Sequence, residues 1–275
     1  MTLSLATPRA TLPDLNRIAS DAPAFTLLAI LLALGLLPLY AAMWLDLRVF
    51  QDESPWMKPI KFHYALGVYS VSLAFFARYM PLQTRQGRPW RWFTAAVVVA
   101  ILGEVVWLSS AAMLNTASHF NTTIPAFTAV YPLMGLFAVL LTSASLVMGI
   151  SVLRNRATSL HPALHLAIAF GLILTFLLTI PVAGYLSNSG GHFVGTSTRT
   201  LWIMGWSRDA GDLRVAHFLA THALHFLPLA GLLAVWLAPA RATRLVWLAA
   251  AAFAALVIFT FTQALQGQPF LPFLG

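Results

Sequence analysis

Seven apolar stretches follow one another along this chain, at about residues 24–45, 60–80, 92–114, 126–152, 161–185, 215–238 and 244–264. Each is close to the roughly 20 residues that a helix needs to cross a hydrocarbon core. Lipid offers no partner to a backbone N–H or C=O, so a run of this kind folds as a helix whose backbone satisfies itself. The expectation is an all-α polytopic transmembrane helix bundle of about seven spans, with residues 1–275 forming a single integral membrane domain. Residues 1–23 read as a polar N-terminal segment with no cleaved leader, and 186–214 as the longest loop. Composition agrees: 59% hydrophobic against 9% charged residues, and a mean hydropathy of +0.80, exclude soluble and disordered classes.

A net charge of +8 suggests nucleic acid in a soluble protein, but here the basic residues sit in short loops, where they report orientation. Arg9, Arg17, Arg78, Arg85, Arg88, Arg91, Arg154, Arg156, Arg241 and Arg244 fall at one edge. Arg48, Lys58, Lys61, Arg199, Arg208 and Arg214 fall at the other. Ten against six places the N-terminus in the cytoplasm and the C-terminus outside, in a bacterial inner (cytoplasmic) membrane, with no nucleic-acid partner. The chain has no cysteine, so disulfides, thiolate metal sites and cysteine nucleophiles are excluded.

The chemically unusual residues gather at the edge with fewer arginines. Gly211 to Pro228 runs from a charged loop into an apolar segment holding His217, His222 and His225. Ionisable groups inside a bilayer are costly unless they face a partner, a cavity or a ligand. On a straight helix Arg214, His217, Thr221 and His225 lie within about 80° of one another, with His222 about 60° beyond. Pro228 predicts a kink that frees the Leu224 carbonyl. Glu104 is the one acidic residue well inside a predicted span, about 15 Å deep and level with His225, with His222 near 11 Å. A carboxylate there must be protonated, paired or metal-bound, and imidazole is the partner on offer.

The second span opens with Trp56, Lys58, Lys61 and His63, and these are the chain's two lysines. Snorkelling beside an aromatic belt explains them blandly; an anionic group held near His63 explains them functionally. His119 and His192 lie in loops flanked by Ser118 and Asn121 and by Gly190, Gly191 and Gly195, able to fold over the bundle mouth. His161 and His165 read as interfacial at the other edge. No HExxH, no repeated HxxxH and HxxHH boxes of the membrane-desaturase type, no GxSxG and no CxxCH occur, and the HxxxxHxxH spacing of the sixth stretch matches no named metal box.

Ser118 to Asn121, Gly190-Gly191-His192, Gly211 to Arg214 with His217-Phe218, and Gln266 to Phe270 resemble a set of uncharacterised bacterial membrane proteins with seven predicted spans. The resemblance implies kinship of fold and transfers no catalytic residue. From the residues themselves the leading expectation is a metal- or haem-dependent membrane enzyme, an oxidoreductase or hydrolase, acting on a lipidic molecule such as a quinone or isoprenoid. Its ligand candidates are His217, His222, His225, Glu104, His63, His119 and His192, for Zn, Fe or Cu, or for haem b through two facing imidazoles. Glu104, His225 and Arg214 are its catalytic candidates, and Lys58, Lys61, Trp56 and Gln263 its substrate-binding ones. A proton-coupled transporter of a small anion is the alternative, and a non-catalytic sensor or assembly subunit a third.

Overall fold

In the computed structural model, residues 15–201 and 204–272 are described. Arg9, part of the orientation count, lies outside them. Ten α-helices stand in this order: α1 Leu15–Asp21, α2 Pro23–Leu45, α3 Met57–Phe76, α4 Leu82–Gln86, α5 Arg88–Met113, α6 Pro125–Arg154, α7 Pro162–Asn188, α8 Leu213–Thr221, α9 Ala223–Leu237 and α10 Ala242–Leu265. Two short strands, β1 Phe193–Val194 and β2 Gly211–Asp212, pair antiparallel. Proline stands in the first turn of α2, α5, α6 and α7, where its missing N–H costs nothing and its fixed φ starts a helix.

Six of these helices are long and apolar enough to cross a membrane, and α8 with α9 makes a further pair bent by 55°. Large side chains stay exposed along them, among them Leu27, Leu34 and Leu37 on α2 and Leu248, Ile258 and Phe259 on α10. Apolar surface on that scale belongs against lipid rather than water. The chain is an integral membrane protein. Inside the spans, Ser70, Thr142 and Thr175 return their hydroxyls to carbonyls one turn earlier, so these polar groups enter hydrocarbon already satisfied.

Hydrogen bonds assign the helix ends to two edges. At the loop edge, Arg48 beyond α2 donates to the Met113 carbonyl at the end of α5 (3.2 Å), and Tyr131 near the start of α6 donates to Ser187 near the end of α7 (3.1 Å). At the arginine edge, Arg85 of α4 pairs with Asp21 of α1 (2.8 Å), and Asn155 after α6 donates to Tyr79 after α3 (2.9 Å). His161 and His165 belong to this second edge, the first capping α7 through the Ala163 N–H and the second bonded to the Val152 carbonyl.

α8 and α9 run between the edges. α8 begins where Gly211 lies so close to Ala264 at the end of α10 that a Cβ would overlap the Ala264 carbonyl. α9 ends among Ala163 and Ala167 of α7 and Ala242 and Val246 of α10. The break falls at His222, not at Pro228, which lies inside α9. A proline ring presses on the turn before it, and here the strain resolves upstream, where another helix satisfies the backbone: the Thr175 hydroxyl of α7 accepts the Leu224 N–H (2.9 Å). Gly171 permits the contact, since a Cβ there would sit 3.0 Å from both the Ala223 carbonyl and the Pro228 ring.

Candidate functional site

The polar residues of the loop edge are arranged by the segment between α7 and α8. β1 pairs with β2 in a small hairpin, and the Leu213 N–H bonds to the His192 carbonyl (3.1 Å), which fixes His192 beside the start of α8. Asp212 caps α8 through the Arg214 N–H (3.0 Å) and accepts the Ser207 N–H (2.9 Å). The Asp212 carboxylate also takes two bonds from the Arg214 guanidinium, at 2.9 and 2.7 Å. Arg214 donates further to the Gly205 carbonyl and covers the Phe193 ring. Arg214, a catalytic candidate from the sequence, is thus committed to holding the hairpin on the helix.

Three other expected contributors are likewise engaged. Trp56 donates its indole N–H to Asp46 (2.8 Å), which Arg48 also grips, so its role is to join the ends of α2 and α3. Lys61 pairs with Glu53 (3.3 Å) on open surface. Gln263 holds the C-terminal tail through the Pro269 carbonyl (3.2 Å). Their spacing put them at the correct edge, but the direction of each side chain followed from loop geometry.

What gathers is a cluster of Lys58, His119, His192 and His217 above Glu104. The Lys58 ammonium lies 3.1 Å from His119 Nδ1. An ammonium only donates, so Nδ1 accepts and the His119 proton sits on Nε2. The Ser118 hydroxyl approaches the same nitrogen at 3.0 Å. Trp107 anchors this loop through the Ser118 carbonyl (2.9 Å), and the His119 ring meets Tyr131 edge-on at 5.6 Å between centroids. Phe120, in the left-handed region at φ 57°, lies between Tyr131 and His192.

Burial, reinforced by Lys58 and then His192, pushes the His119 imidazole down to about 3. Burial, then Arg214 and Lys58, pushes His192 down to about 4. Both rings are neutral at pH 7. Glu104 is 5% exposed and makes no hydrogen bond to any described residue; Lys58 is the charge that acts on it. The Nδ1 atoms of His192 and His217 are buried and also lack a partner among the described residues.

A second group lies deeper than this cluster. His222 Nδ1 lies 3.0 Å from His225 Nδ1, and His225 Nε2 lies 2.8 Å from the Ser72 hydroxyl of α3. Ser72 spends its own proton on the Val68 carbonyl (2.7 Å). Its oxygen must then accept from His225 Nε2–H, which leaves His225 Nδ1 as acceptor for His222 Nδ1–H and a lone pair on His222 Nε2. One bond therefore sets the tautomer of both rings. Ser72 stands 14 residues after Lys58, about 21 Å along α3, so the chain of bonds passes well below the loop edge.

The meeting of Glu104 and His225 expected from their equal depth does not form, because the span bends at His222 and His225 bonds Ser72 and His222 instead. Glu104 answers to Lys58, and His225 to Ser72 and His222. His63 stands apart: its Nδ1–H bonds the Pro59 carbonyl (2.9 Å) and its ring packs against Gly35 of α2, where a Cβ would lie 3.0 Å from Nε2. Among the described residues no three His, Asp or Glu side chains surround a common point suited to a metal ion. Sequence reasoning missed Tyr131 and Thr175; Ser70 and Ser72 were legible as polar positions within the second span, but not the bond from His225 to Ser72.

The comparisons fall silent at this point. Neither a family model, nor a curated protein, nor a solved structure matches the chain.

Proposed function

We propose that this chain is a proton-coupled carrier of a small anion, with seven spans, in a bacterial inner membrane. In this reading the bent α8–α9 pair is the sixth span, supported by the packing of its two ends at opposite edges. The excess of arginine at one edge supports a cytoplasmic N-terminus, an outward loop edge and an extracytoplasmic C-terminus.

The observation that carries the reading is the His222–His225–Ser72 chain, because neutral imidazoles bonded in series pass a proton without a charged side chain resting in lipid. A proton taken up at His222 Nε2 releases the Nδ1 proton to His225 Nδ1, and His225 releases its Nε2 proton to the Ser72 oxygen. Ser72 then has to swing its hydroxyl off the Val68 carbonyl to hand a proton onward. The anion binds at the Lys58 cluster, drawn by Lys58 and met by the Nδ1 atoms of His192 and His217, which have no partner among the described residues. Glu104 balances Lys58 when the anion leaves.

The test is uptake by proteoliposomes loaded with a pH-sensitive dye, given chloride, nitrate, formate and acetate in turn under an imposed pH gradient. Wild type is expected to move one of these with protons. Ser72→Ala and His225→Phe are expected to uncouple the two. Uptake indifferent to the gradient, or fully coupled in His225→Phe, sinks the proposal.

A second reading, the metal- or haem-dependent enzyme acting on a quinone- or isoprenoid-like lipid, rests on the same unpartnered His192 and His217 nitrogens. Stoichiometric metal or a haem absorption band in purified protein, lost in His217→Ala, favours it over the carrier.

A further inference from the structure

Among the described residues, a further cation without a hydrogen-bond partner lies away from the histidines. At the arginine edge a cavity of about 320 Å³ is lined by Arg17, Arg78, Tyr79, Asn155, Thr158 and Ser159, among others. Its volume is at the lower end of the range for small-molecule pockets. Nε and Nη2 of Arg78 are buried there with no hydrogen-bond partner among the described residues. These two N–H groups share one edge of the planar guanidinium, the geometry that grips two oxygens of a carboxylate or phosphate at once.

No group among the described residues supplies those oxygens. Arg78 has the Phe75 ring beneath it at 4.7 Å, which supports the cation but accepts neither N–H of the fork. Asn155 donates to the Tyr79 carbonyl (2.9 Å) and accepts the Ala157 N–H (3.1 Å), with no bond to Arg78. Asp21 is held by Arg85 at 2.8 Å, and Arg17 reaches it only at 3.9 Å. Thr158 and Ser159 have hydroxyls with no partner among the described residues, and they face the same cavity. A buried guanidinium fork left empty is costly. A cationic fork, a second arginine and two hydroxyls together describe a receptor for a tetrahedral oxyanion.

We propose that Arg78, Arg17, Thr158 and Ser159 bind a phosphate group at the arginine edge. The group is either the headgroup of an anionic phospholipid or free inorganic phosphate. The first source follows naturally from position, since α3 ends at Phe76 and Arg78 therefore stands at the end of a membrane-crossing helix. Arg78 contributes the two-pronged grip, Arg17 the long-range attraction, and the hydroxyls the remaining oxygens. This site is independent of the Lys58 cluster and of the carrier reading.

The experiment is thermal unfolding of the full chain in a neutral detergent, titrated with phosphatidylglycerol, with inorganic phosphate, and with diacylglycerol as a phosphate-free lipid. Wild type is expected to gain stability with phosphatidylglycerol and not with diacylglycerol; a gain with inorganic phosphate as well assigns the site to the free ion. Arg78→Gln is expected to weaken binding about 10- to 100-fold, as the loss of a charge-assisted pair of bonds implies. Arg78→Lys, which keeps the charge and loses the fork, is expected to fall between. Should Arg78→Gln not fold, Thr158→Val with Ser159→Ala leaves α3 untouched and is expected to lower affinity about tenfold. No gain with either phosphate compound, an equal gain with diacylglycerol, or undiminished binding in these variants overturns the proposal.

Discussion

Asp212 is the residue whose change the structure converts most directly into a number. Its carboxylate is almost wholly buried and accepts four N–H groups: Ser207 N, Arg214 N, Arg214 Nε and Arg214 Nη2. Asp212→Asn is isosteric, yet it turns one acceptor oxygen into an NH2. Either the Arg214 N and Nε pair or the Ser207 N and Arg214 Nη2 pair then faces a donor, and Arg214 loses its counter-charge. Breaking a buried pair by removing one partner costs about 3–5 kcal/mol. The Arg214 side chain is 29% exposed, so water recovers part of that and about 3 kcal/mol is the expected loss. For a chain of this size it corresponds to a fall in Tm of roughly 6–12 °C. The assay is thermal unfolding in detergent, with Asp209→Asn as comparison, since Asp209 holds Thr198 and Ser207 at the surface and is expected to matter less. A fall of less than about 2 °C for Asp212→Asn refutes the reasoning. It would mean that the hairpin is held by something other than this carboxylate.

Gly211→Ala is expected to prevent the end of α10 from closing on β2, because the new methyl overlaps the Ala264 carbonyl; the readout is a loss of monodisperse protein after purification. Thr175→Val removes the acceptor of the Leu224 N–H and is expected to cost about 1–3 kcal/mol, seen as faster hydrogen exchange at Leu224 than in wild type. The pH response follows from His119 and His192, whose folded values of about 3 and about 4 lie below the ordinary value near 6.5. Between those limits the unfolded chain binds more protons, so stability is complete above about pH 6.5 and falls as the pH drops toward 4. The His192 share is at most about 3 kcal/mol, and His192→Asn is expected to flatten the decline in a melting series from pH 7.5 to pH 4.5.

The spans were legible because hydrocarbon imposes one rule on every residue in them, and their order along the chain follows from length alone. The edge on which the histidines open was legible too, since a run from Asp212 to His225 has few tolerable settings. Which side chains meet was not. His225 was placed level with Glu104 by counting residues along a straight helix, and one bend, stabilised by a threonine 47 positions earlier at Thr175, redirected it to Ser72. Arg214 read as a free cation because its partner is a cap two residues away, and caps are ordinary at helix starts. Arg78 read as an orientation signal among other arginines, and only the fold of the 155–160 loop over it exposes an empty fork.

The helices of this bundle differ in length. α6 has 30 residues and α2 has 23, about 45 Å against about 35 Å at 1.5 Å per residue. The hydrocarbon layer is about 30 Å thick. A rod half as long again as the slab it crosses must lean, protrude or thicken the lipid around it, at a modest cost for each ångström of mismatch. Bilayer thickness thus acts on this protein as a mechanical load. It bears first on α6, whose lower end carries the loop that closes the arginine-edge cavity.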